Sequence, residues 1–163
     1  MNHSNITLYN ELKKQLDDLL LDQIYTINKA VVFDIDGTLY REGVYNPAND
    51  NEMFHAVSNF LQYCNDIYVH VFIITARPAF KENIEKTEQD LQSHNFRYHK
   101  IFFCKPNSNP FICKKMFRDT IHAHGYRLMM SIGDNLCDLD KRIPYNYLVK
   151  LHKNGECEYI LNP

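Results

Sequence analysis

Two aspartates, Asp34 and Asp36, sit two positions apart after a short apolar run and lead into Gly37 and Thr38. Thr75 follows a second apolar run, and Gly133-Asp134, with Asp138 four residues on, follows another. These are the residue types that hydrolysis of a phosphate monoester requires. The ester is anionic and repels an anionic nucleophile, so a divalent cation must bridge the two. Mg²⁺ takes hard oxygen ligands, usually one or two carboxylates completed by water and phosphate. An aspartate can then accept the phosphoryl group, splitting one difficult step into two. A second carboxylate protonates the leaving oxygen and later activates water. A hydroxyl and a cation hold the group in transfer.

On this reading Asp34 is the nucleophile and Asp36 the general acid and base. In an extended segment residues two apart face the same way, so both can address one substrate. Asp34, Asp36 (also through its backbone carbonyl), Asp134 and Asp138 form the expected magnesium site. Thr75 offers its hydroxyl to phosphate, and a lysine ahead of the fourth strand supplies the cation. Asp140 is an alternative to Asp138, with spacing favouring Asp138. Asn135 reads as a helix cap. Arg77 reads equally as a substrate contact or as half of a structural ion pair. His122 and His124 do not share a helical face and read as solvent-facing. Tyr98, Phe102, Phe103 and Phe111 read as core.

The elements that must position these groups are legible from periodicity. Leu12, Leu16, Leu19 and Leu20 recur at helical spacing and predict an amphipathic helix of about five turns. Residues 1–28 are read as this helix packed on the core, and residues 29–163 as the catalytic domain. Ala30–Phe33 predicts a buried strand, and Tyr40–Asn51, with Gly43 and Pro47, a loop or flap. Glu52–Cys64 predicts a helix and Tyr68–Ile74 a second strand. Pro78 suits the first turn of a helix running to about His94. Lys100–Phe103 predicts a strand, Pro110–Ala123 a helix stopped at Gly125, and Arg127–Ile132 a strand. A short helix and a last strand at Tyr147–Val149 finish the chain. Alternating strands and helices imply an α/β fold: a Rossmann-like parallel sheet in three layers, with helices on both faces. Ligands in such sheets bind beyond the carboxyl ends of the strands, where the polar motifs fall.

The run Asp34-Ile35-Asp36-Gly37-Thr38-Leu39, with Thr75 and Gly133-Asp134…Asp138, resembles the motifs of the haloacid dehalogenase (HAD) superfamily over about Ala30 to Lys150. Thr75-Ala76-Arg77, Thr87-Glu88 with Leu91, and a lysine eleven residues before Gly125-Tyr126 are similar to the small class III (IIIB-like) acid phosphatases. The resemblance implies a Mg²⁺-dependent phosphatase working through an aspartyl phosphate. It makes Lys114 the phosphate-binding lysine, ahead of Lys115, with Lys105 the alternative. Those relatives usually carry Gly where this chain has Ala76, and they are often secreted.

Between Thr38 and Thr75 a flap, a helix and a strand leave no space for a cap domain, so an open site is expected. It would admit a small phosphoester or a macromolecular end, with Tyr40, Arg41, Tyr45 and Arg77 as candidate substrate contacts. Of the 163 residues 45% are hydrophobic and 23% charged, values of a globular domain, and the net charge of −2 announces no nucleic acid. No run is long and apolar enough to span a membrane, and no secretory signal is read, so the expected location is cytoplasmic. The five cysteines show no C-x-x-C pair and read as free thiols in a reducing compartment. Three functions follow: a phosphomonoesterase, a nucleic-acid end-processing phosphatase with the same chemistry, or a non-catalytic binding or storage protein on this fold.

Overall fold

In a computed structural model, the structure describes residues 3–21, 28–40, 52–139, 147–151 and 157–161. Helix α1 (His3–Leu21) precedes strand β1 (Lys29–Phe33), helix α2 (Glu52–Asp66) and strand β2 (His70–Pro78). Then come α3 (Lys81–Ser93), β3 (Lys100–Cys104), α4 (Pro110–Ala123), β4 (Arg127–Gly133), a 3₁₀ turn at Leu136–Asp138, β5 (Tyr147–Leu151) and β6 (Cys157–Leu161). The strands form one sheet in the order β3-β2-β1-β4-β5-β6, with all pairings parallel except β5 with β6. This is the expected α/β Rossmann-like architecture, and the described residues include no cap domain.

Strand alternation sends β1 residues to opposite faces. Val31 and Phe33 join Val71, Ile73 and Met129 under α1 and α2, while Ala30 and Val32 join Phe72, Ile74 and Leu128 under α4. Leu8, Leu12 and Leu16 of α1 are buried in the first of these cores. The Tyr63 hydroxyl of α2 donates to Asp17 of α1 at 2.5 Å, and Lys13 donates to the other oxygen of that carboxylate at 2.5 Å.

Four expectations are corrected. The second strand begins at His70; Tyr68 has φ 60° and is 92% exposed, a turn conformation that breaks the strand. Pro78 ends β2 instead of opening a helix; α3 starts at Lys81, and Pro78 still pairs across to Cys104. The chain does not finish at β5, because β6 closes the sheet edge antiparallel. Cys104 and Cys113 are not free thiols but a disulfide, with Cα atoms 5.8 Å apart. The parallel topology brings the end of β3 against the first turn of α4. Cys64 and Cys137 are free and buried.

Candidate active site

Residue Asp34 caps the buried end of β1, and its backbone N–H donates to Ile132 O on β4 at 3.0 Å. That bond ties the first acidic motif beside the one that ends β4. The chain then turns at Gly37 (φ 76°), whose N–H donates to Tyr40 O at 2.9 Å. A Cβ at Gly37 would collide with the Asp134 carboxylate, and one at Gly133 would collide with Asp138. Two glycines thus let the carboxylates close up. Carboxylate oxygens of Asp34, Asp134 and Asp138 lie within 4.8 Å of one another.

Such a cluster of like charges is costly in a buried site unless cations offset it. Lys114, on the buried face of α4 and 2% exposed, donates to Asp34 Oδ1 at 2.7 Å and to Asp138 Oδ1 at 2.5 Å. Burial disfavours its ammonium form, yet the two carboxylates outweigh burial and hold its pKa above the ordinary lysine range. Burial and then the charge of Asp138 push the Asp34 carboxyl up to about 8, against the pull of Lys114. Asp134 is also pushed up, by burial and then by Asp138. The set therefore carries a deficit of positive charge. Three hard oxygen donors at this spacing suit a small divalent cation.

Asp138 is held from several sides. Its carboxylate accepts from Asn135 N at 3.1 Å, while the Asn135 side chain accepts from Cys137 N, so Asn135 is the helix cap expected of it. Ser131 Oγ and the buried guanidinium of Arg118 donate to the Asp138 carbonyl at 2.6 and 3.2 Å, and Arg118 also reaches Cys137 O. Sequence reasoning did not assign a role to Ser131 or Arg118. Arg118 follows Lys114 by four residues and so shares its helix face, which was the available signal.

The carboxylate of Asp36 is not in the acidic cluster. It is gripped by Arg77, whose Nε donates to Oδ2 at 2.8 Å and whose Nη2 donates to Oδ1 at 2.7 Å. Arg77 Nη1 donates to Thr87 at 3.0 Å, and the guanidinium stands 5.3 Å from the centre of the Tyr40 ring. Of the two readings of Arg77, the structure shows the ion pair. Tyr40, expected as a substrate contact, is fully buried and backs Arg77 instead, because the turn after Asp36 folds it into the core. Thr75, fully buried at the end of β2, accepts from Arg77 N at 3.1 Å. Lys115 pairs with Asp119, and Lys105 lies exposed after β3. Arg41, Tyr45 and Asp140 lie outside the described residues. Phe111, expected in the core, is 55% exposed at the start of α4, because the buried face of that helix is taken by Cys113, Lys114, Arg118 and Ile121. His122 and His124 are exposed.

A cavity of about 620 Å³ opens beside Asp36, lined by Arg77, Phe80, Glu82, Asn83 and Lys86 among others. No helix among the described residues is long and apolar enough to cross a membrane.

The family described as HAD superfamily, subfamily IIIB (acid phosphatase) matches residues 43–154, more than two thirds of the chain. No curated protein matches. Among solved structures, a chain of the Pnkp1/Rnl/Hen1 complex superposes with a TM-score of 0.62 at 20% identity, over 78% of this chain and 47% of that one. A chain of the Pnkp1/Rnl/Hen1 RNA repair complex gives 0.60 at 21%, over 78% and 43%. These likenesses establish the fold, and this chain spans less than half the length of either solved chain.

Proposed function

The chain belongs to the HAD superfamily, subfamily IIIB, the acid phosphatases, and on that premise we propose that it hydrolyses phosphate monoesters through an aspartyl phosphate on Asp34. Residues 1–28 and 29–163 are the proposed N-terminal segment and catalytic domain, and helix α1 of the former packs on the core through Leu8, Leu12 and Leu16. The observation that carries the reading is Lys114, which joins Asp34 to Asp138 inside a carboxylate cluster that includes Asp134.

Asp34, Asp134 and Asp138, with the backbone carbonyl of Asp36, would hold Mg²⁺, which when bound offsets the repulsion between carboxylate and phosphate. In the first step an oxygen of Asp34 attacks phosphorus and the bond to the leaving oxygen breaks. Asp36 gives that oxygen a proton. Asp36 then takes a proton from water as the water oxygen attacks phosphorus, and phosphate departs from Asp34. Lys114 keeps Asp34 oriented and supplies positive charge to the phosphoryl oxygens, and the Thr75 hydroxyl is a further donor to them.

The test is hydrolysis of an aryl phosphate with and without Mg²⁺, together with an acid-quench search for phosphorylated protein. Wild type should turn over and carry the phosphoryl group, and a chelator should stop both. Asp34→Asn should lose at least ~1,000-fold in kcat. An unchanged rate in that variant would remove Asp34 as the nucleophile.

A second reading, a phosphatase for nucleic-acid ends, is favoured by the open cavity beside Asp36 and by the fold shared with a chain of an RNA repair complex. It expects activity on ends that falls steeply with salt. A flat salt response counts against it.

A further inference from the structure

We propose that the Cys104–Cys113 bridge is the positioning element of Lys114: it clamps the first turns of α4 to the end of β3, so that reducing it frees the lysine and switches catalysis off. The inference deepens the phosphomonoesterase reading and, for its activity readout alone, rests on it. Helix α4 is anchored unevenly. Its second half is held by Phe117, stacked on Phe102 at 4.8 Å, by Arg118 on the carbonyls of Cys137 and Asp138, and by Ile121 in the apolar face of the sheet. Of Pro110–Met116, only Cys113 and Lys114 are buried, while Phe111, Ile112 and Met116 are at least half exposed. A helix segment whose apolar side chains face water gains little from packing.

Two inward groups tie this first half to the sheet: Cys113 through its bond to Cys104, and Lys114 through Asp34 and Asp138. Lys114 must turn part of its bonding over to phosphoryl oxygens when a substrate enters, whereas the covalent tie stays. The far end of the bridge is placed to match. Cys104 pairs with Pro78, and its carbonyl accepts from Ala79 N at 2.8 Å, one and two positions past Arg77, which grips Asp36. The bridge thus spans the two segments that deliver cations to the site. A displacement of the lysine by about 1 Å can cost about 100-fold in rate. A dithiol reductant supplies the two electrons: its thiolate attacks one sulfur and the Cys104–Cys113 bond breaks. The mixed disulfide then closes on the reductant's second thiol. Two protonated cysteines and the reductant's own disulfide are left. Cys104 and Cys113 are 2% and 5% exposed, so the exchange needs an opening. The segment joining them is exposed at Lys105, Asn107 and Asn109, which makes a local opening cheaper than global unfolding.

The experiment labels native protein with an amine-reactive succinimidyl ester before and after treatment with dithiothreitol, the reductant being removed first, and reads each lysine by mass spectrometry. The same samples give kcat/KM for an aryl phosphate with Mg²⁺. In the oxidised protein Lys114 should resist the label while Lys81, 87% exposed, takes it. Reduction should raise labelling of Lys114 relative to Lys81 by about tenfold and lower kcat/KM by about 100-fold, and reoxidation before labelling should restore both. Cys104→Ala combined with Cys113→Ala should match reduced wild type and ignore the reductant; where dithiothreitol leaves the bridge intact, this variant decides. Leu12→Ala, which loosens the opposite face of the sheet, should keep Lys114 protected, a result that separates clamping from a general loss of stability. Lys114 protected in both redox states, or released equally by Leu12→Ala, overturns the proposal, and so does global unfolding on reduction. A released Lys114 with unchanged kcat/KM overturns the switch. If no ester turns over in either state, the phosphatase reading fails by itself, and the labelling still decides the clamp.

Discussion

Arg77 grips both carboxylate oxygens of Asp36 at 2.8 and 2.7 Å across 41 positions of sequence. The fork aims Asp36 and leaves a second lone pair on each of its oxygens unused by Arg77. On the proposed mechanism Arg77 is therefore a positioning residue. Arg77→Met should hit substrates whose leaving oxygen needs a proton and spare those whose leaving group departs unaided. An alkyl phosphate should slow by about 100-fold, and dinitrophenyl phosphate by no more than about threefold. Equal losses on the two substrates would mean that Arg77 merely holds the fold.

Lys114 is the cation that makes the buried carboxylates tolerable. Lys114→Met leaves Asp34 and Asp138 facing each other uncompensated, which should cost about 3–5 kcal/mol of stability. Added Mg²⁺ should restore part of that loss by binding the folded state. Thermal melts of variant and wild type with and without the ion check this. A variant melting like wild type in its absence would contradict the electrostatic account.

The two glycines at the cluster make a separate prediction. Gly37→Ala combines a left-handed backbone (φ 76°) with a collision at Asp134. It should destabilise the protein by at least ~1 kcal/mol and weaken Mg²⁺ binding in a calorimetric titration. Gly125 has the same sign of φ (84°) but open space around it. Gly125→Ala should carry the backbone cost alone, with metal affinity intact.

Docking of α1 is testable at its own contacts. Leu12 and Leu16 are fully buried, so Leu12→Ala should cost about 2–5 kcal/mol in denaturant unfolding. Partial burial raises the Asp17 carboxyl, but the hydrogen bonds from Lys13 and Tyr63 outweigh it and hold it below the usual range. A carboxyl lower in the folded than in the unfolded state stabilises above the unfolded value, and that gain fades as pH falls through the folded one. Tyr63→Phe should reduce the loss of stability seen below about pH 4. A pH–stability curve identical to wild type would refute the role given to this contact.

The Cys104–Cys113 bridge closes a loop across a separation of 9 residues, directly before Lys114. Cys113→Ser should lower stability by roughly 2–3 kcal/mol on loop-closure grounds, and a reductant should have the same effect on wild type and none on the variant. A wild type indifferent to reductant would show that the bridge contributes nothing.

Much of this protein is written locally. The alternation of apolar runs with helical periodicity determined a parallel α/β sheet. The position of Asp34, Thr75 and Asp134 just after such runs determined that they share one sheet edge, because parallel strands all end on the same side. The cap of the 3₁₀ turn, Asn135, was equally local. What the sequence could not decide depends on contacts between distant segments. Lys105, Lys114 and Lys115 carry the same charge, and only the rotation of α4 on the sheet turns Lys114 inward and leaves Lys115 on Asp119. The ion pair of Arg77 with Asp36, the burial of Tyr40 and the pairing of Cys104 with Cys113 depend on such contacts too. Side-chain type and spacing encode periodicity and reactivity, but which groups meet is set by the packing of whole elements, and that exists only once the chain has folded.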